Sequence, residues 1–63
     1  MTVNKFLKFI EEAKILGVTM YYDCNRNKAI LEKDDNKIVV DIERLNKLSI
    51  SYFIQYTRKA LSI

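Results

Sequence analysis

Histidine, proline and tryptophan are absent from this 63-residue chain, which holds one cysteine and one glycine. Without histidine, the commonest general base and the commonest imidazole metal ligand are missing. A single cysteine closes no internal disulfide, and with no histidine beside it no zinc site can form. One glycine leaves no material for a glycine-rich phosphate loop. Long apolar runs are lacking too. The longest are a few residues, against about 18 for a bilayer span, and nothing reads as a signal peptide. The last absence is of acid. Beyond Glu43 there is no Asp or Glu, whereas Arg44, Lys47, Arg58 and Lys59 all follow it. Positions 1–43 carry seven basic and eight acidic side chains, a net −1, so the four later cations account for the total of +3.

Hydrophobic residues make up 49% of the chain and charged residues 30%, enough apolar surface to offset chain entropy and to exclude disorder. One small domain over residues 1–63 is expected. A chain of this size buries only about 60% of the surface that its unfolded form exposes. Homodimerisation is a natural way to add buried area. The unpaired Cys24 suits a reducing cytoplasm, and the Lys, Asn and Ile richness is of the kind found in phage- or mobile-element-borne proteins.

Thr2 is placed to cap a helix over 3–16 whose residues Val3, Phe6, Leu7, Phe9, Ile10, Ala13 and Leu16 fill one half of the circumference at about 100° per residue. Gly17 stands where a helix takes a left-handed terminating residue. The period then changes to two. Residues 18–22 predict a strand with Val18, Met20 and Tyr22 on one face, and 28–33 a second strand. Asp34-Asp35-Asn36 forms a tight turn, and Ile38, Val40 and Ile42 line one face of a third strand. Ile42, Leu45 and Leu48 have helical spacing, so a helical turn is an alternative over residues 43–48, and one long helix from Asp41 is the main competing assignment; a loop followed by a last helix starting at Ser49 or Ser51 is preferred. It places Ile50, Phe53, Ile54, Thr57, Ala60 and Leu61 on one face. The expected architecture is α+β, α-β-β-β-α, with a three-stranded antiparallel meander packed against two helices.

No constellation for bond-breaking emerges. Asp23, Asp34, Asp35 and Asp41 are read as ordinary turn and strand-end carboxylates, and Cys24 as a loop thiol, so neither enzyme, metal nor cofactor is expected. The leading expectation is a small non-enzymatic binding or regulatory protein that contacts nucleic acid through its basic C-terminal helix. Arg44, Lys47, Arg58 and Lys59 supply cations for phosphates, with Gln55 as a polar contact and Tyr52 and Tyr56 for stacking on bases or sugars. The alternatives are a protein-binding inhibitor or adaptor using an exposed tyrosine-bearing sheet face around Thr19, Tyr21 and Val39, with Ile30 or Ala29, and a homodimeric structural protein.

The α-β-β-β-α order, the Gly17-Val18 step out of the first helix and the closing stretch LSISYFIQYTRKALSI resemble the HicA family of small toxins. Those are mRNA interferases with a double-stranded-RNA-binding-like fold, in which a sheet packs against two helices. The family's Gly-Ser-His-type stretch, with its catalytic histidine, enters the second strand. Here that place reads Asn25-Arg26-Asn27-Lys28, with neither glycine nor histidine. The resemblance therefore implies a binding scaffold without the nuclease.

Overall fold

Thr2 opens the first helix: its Oγ1 accepts from the backbone N–H of Lys5 at 3.2 Å, satisfying one of the donors that a helix start leaves without a partner. In the computed structural model, which describes all residues 1–63, this helix, α1, runs Val3–Ile15. It stops at Gly17, whose φ is 76°. The N–H groups of Gly17 and Val18 donate back to the carbonyls of Lys14 and Ala13 at 3.0 and 2.9 Å, the paired closure that a left-handed residue after a helix makes possible. Lys33 supports the same end from the sheet. Its ammonium donates to the Leu16 carbonyl at 3.1 Å and lies 2.6 Å from where a Cβ on residue 17 would stand.

Three strands follow, β1 Thr19–Asp23, β2 Lys28–Lys33 and β3 Asn36–Asp41, in the antiparallel order β1-β2-β3. Asp34, at φ 55°, makes the two-residue turn between β2 and β3, a backbone state that Asp tolerates better than most residues. At the other turn Asn27 also has φ 55°, and the Asn25 N–H donates to Asp23 Oδ1 at 3.1 Å.

The chain then departs from the expected loop. Ile42–Asn46 form a short helix, α2, before the last helix, α3, Ile50–Leu61. Ile42 belongs to α2 rather than to β3. It fits both periods, two residues past Val40 on a strand and three before Leu45 on a helix, and Leu45 is fully buried. Ser49 caps α3, its Oγ accepting from the Tyr52 N–H at 3.2 Å, which is why the two helices stay separate.

All helices lie on one face of the sheet. Met20, Ala29, Leu31 and Val40 point inward from the strands to meet Phe9, Ala13, Leu45, Phe53 and Leu61. At the centre the rings of Phe9 and Phe53 stack at 4.4 Å and 10°, joining the first and last helices. Ala60, expected on the buried face of α3, is exposed. No helix is long and apolar enough to cross a membrane.

Thr57 is fully buried in this core, and its hydroxyl has no hydrogen-bond partner. A buried hydroxyl without a partner carries its desolvation cost uncompensated. Thr57→Val keeps the shape and removes that cost. It is expected to raise stability by about 1–2 kcal/mol, read as a higher urea midpoint at unchanged slope.

Candidate nucleic-acid interface

Residues three and four apart on a helix are neighbours, and residues two apart are not. On α3 this rule gathers Tyr52, Gln55, Tyr56 and Lys59 into one continuous strip. Tyr52 is 66% exposed, Gln55 and Lys59 are exposed, and Tyr56 is half-buried along the edge of the core. Arg44 reaches the strip from α2, its guanidinium 5.3 Å from the centroid of the Tyr56 ring. That stacking holds the planar cation in place while leaving its donors outward.

Two sequence-selected cations sit differently. Lys47 closes α2 with its backbone N–H donating to the Arg44 carbonyl at 3.1 Å, and its side chain is exposed. Arg58 is exposed beside Gln55, and its Nε–H points to the Ile63 backbone oxygen at 3.5 Å. Arg44, Tyr52, Gln55, Tyr56 and Lys59 therefore share a surface, and Arg58, three residues from Gln55, stands at its edge.

Lys8, Arg26, Lys28 and Lys37 are each paired with a carboxylate; Arg44, Lys47, Arg58 and Lys59 have none within 4.0 Å, and neither have Lys5, Lys14 and Lys33. The sequence reading also missed a cation. Lys5, on α1, donates to the Asn46 carbonyl at the end of α2 and lies 5.7 Å over the Phe9 ring. Nothing in the chain order signals this, because the two residues are 41 apart.

The outer face of the sheet is the other candidate surface. Tyr21, Ile30 and Val39 are in cross-strand register and form a short apolar row. Ile30, not Ala29, takes the central place. Tyr21 and Val39 are exposed, but Ile30 is only 7% accessible. The rows on either side are already satisfied. The Tyr21 hydroxyl donates to Glu32 Oε1 at 2.7 Å, Glu32 pairs with Lys37 at 3.5 Å, and Lys28 pairs with Asp41.

Donation to Glu32 also holds the Tyr21 phenol protonated, and together with desolvation and the nearby charge of Glu32 and Asp23 it raises the pKa above the ordinary 10.0. A raised folded-state value means that this contribution to stability is present below the unfolded pKa and is lost as pH rises through the folded one. Glu32→Ala is expected to bring the Tyr21 titration down, followed by its ring resonances across alkaline pH.

No three Cys, Asp or Glu side chains converge as a metal-ion group, and Cys24 is exposed in the β1–β2 turn. No family model, no curated protein and no solved structure matches this chain.

Proposed function

We propose that this protein is a small non-enzymatic regulator that binds nucleic acid, with single strands favoured, through Arg44, Tyr52, Gln55, Tyr56 and Lys59. Lys47 and Lys5 extend the positive surface. The observation that carries the reading is a local excess of positive charge: Arg44, Lys47, Arg58 and Lys59 have no carboxylate within 4.0 Å, and Arg44 and Lys59 stand beside an exposed tyrosine. Phosphates are attracted to such unneutralised cations, and a solvent-facing ring stacks on any unpaired base. The cytoplasm is the compartment in which the free thiol and this ligand class coincide. The resemblance of the element order to that of HicA proteins bears on the scaffold alone.

The test is retention of short homopolymeric RNA and DNA, single-stranded and duplex, by the wild type and by Arg44→Glu with Lys59→Glu. The double variant is expected to lose retention at low salt, and Tyr52→Ala to lose the preference for single strands. Equal retention by the charge-reversed protein removes the proposal. Binding of a protein partner through the sheet face is the weaker reading, since its polar rows are internally paired and its apolar row is a single line of side chains.

A further inference from the structure

The apolar half of α1 is wider than the fold uses. Phe6, Phe9, Ala13 and Leu16, spaced three, four and three apart, face the core: Phe9 and Ala13 are fully buried and Phe6 and Leu16 pack beside them. A second seam runs alongside, through Val3, Leu7, Ile10 and Lys14, spaced four, three and four. Val3 is 74% exposed and Leu7 50%. Ile10 is half-buried and Lys14 exposed. Four-three-four spacing is the seam by which two helices pair lengthwise. At its N-terminal end the seam runs into an apolar cleft of about 460 Å³, walled by Val3, Phe6, Leu7, Tyr22, Ile42 and Glu43.

Charge indicates the occupant. Glu43 is the only carboxylate outside the Asp34-Asp35 turn with no ion pair, and Lys14 is the only cation on α1 whose ammonium has no partner: Lys5 is bound to a carbonyl and Lys8 to Glu11 and Glu12. Antiparallel pairing of two copies of the seam sets Leu7 against Ile10 of the other copy and Lys14 against its Val3, at the mouth of the cleft that holds Glu43. Two-fold symmetry makes each contact twice. The apolar stretch and the unpaired charges thus complement themselves.

We infer that this face is the contact surface of a homodimer, with α1 packed antiparallel on α1 of a second copy and Lys14 of each chain meeting Glu43 of the other. The basic strip of α3 stays outside this contact, so the inference stands independently of nucleic-acid binding. A seam of this length lies below the standard interface size of about 1,600 Å², and self-association is expected in the range of roughly 10–100 µM.

Sedimentation equilibrium from low micromolar to millimolar protein reads it directly. The wild type should shift from the 7.5 kDa monomer toward twice that mass, and Leu7→Glu should remain monomeric with an unchanged far-UV circular dichroism spectrum. Lys14→Glu should weaken dimerisation at least about tenfold, as expected for like charges set opposite each other at a contact. Adding Glu43→Lys to that variant should restore it. A monomer at every concentration, a dimer indifferent to Leu7→Glu, or a charge exchange that fails to restore association overturns the inference. Dimerisation that disappears on nuclease treatment overturns it as well, since shared nucleic acid would then be the bridge.

Discussion

Phe53→Ala is expected to leave the chain without a cooperative unfolding transition at 25 °C. The Phe53 ring is fully buried and stacks on Phe9, so truncation removes both its transfer free energy and the contacts across the cavity that remains. Phe→Ala changes in cores cost about 3–5 kcal/mol. At about 0.05–0.15 kcal/mol per residue, a domain of this length has a total stability of about 3–9 kcal/mol. The loss therefore consumes most of what holds the fold. Urea titration followed by circular dichroism checks it, with Tyr52→Ala as the comparison. Tyr52 is the preceding residue but faces solvent, and its truncation should change stability by no more than about 0.5 kcal/mol. A well-folded Phe53→Ala protein would show that the fold does not depend on the Phe9–Phe53 stack.

The second large effect is the salt dependence of nucleic-acid binding. Each phosphate neutralised on a single strand contributes about 0.7 to the slope of log affinity against log salt. With Arg44, Lys47 and Lys59 engaged, raising salt fourfold should weaken binding about 20-fold; with Arg58 engaged as well, about 50-fold. The geometry favours the smaller figure, because Arg58 stands at the edge of the strip and turns its Nε–H to the Ile63 backbone oxygen. Arg58→Glu alone should then leave the slope nearly unchanged. Arg44→Glu should reduce it and also free the Tyr56 ring from its guanidinium. Affinity that is insensitive to salt would place recognition elsewhere than on these cations.

Much of the fold is legible in the residues because the local signals agree. The only glycine coincides with the loss of helical period, so the end of α1 is marked twice. β2 is bounded by turn-forming residues on both sides and carries its apolar residues in one block. Asp34 stands at the one place where a two-residue connection requires positive φ. The reading fails where one residue serves two periods. Ile42 continues the inward face of β3 and equally begins the helical spacing to Leu45, and only the burial of Leu45 decides between them. Ala60 is a similar case: helical spacing sets it near the core, but Phe53, Thr57 and Leu61 are the buried residues of α3, with Ile50, Ile54 and Tyr56 packed beside them, and Ala60 is exposed.

The interface is legible in composition and not in arrangement. The acid-free C-terminal third is plain from the residues, yet the approach of Arg44 to Tyr56 depends on where the sheet sets α2 relative to α3. The approach of Lys5 to α2 joins residues too distant in the chain for any spacing rule. The two seams of α1 show a further gap. Seven apolar positions on one helical half are recognisable, but which of them a fold conceals depends on partners that periodicity does not specify.

The stacking of Phe9 on Phe53 also bears on when the domain forms during synthesis. The α1 ring has its main aromatic partner more than forty residues downstream, so a nascent chain that has completed α1 and the sheet still exposes the side of Phe9 that α3 will cover. Closure waits until Phe53 and Leu61 have cleared the ribosome. The core is thus incomplete until the last helix is present, and the side of Phe9 that Phe53 covers stays open to water in any shorter chain.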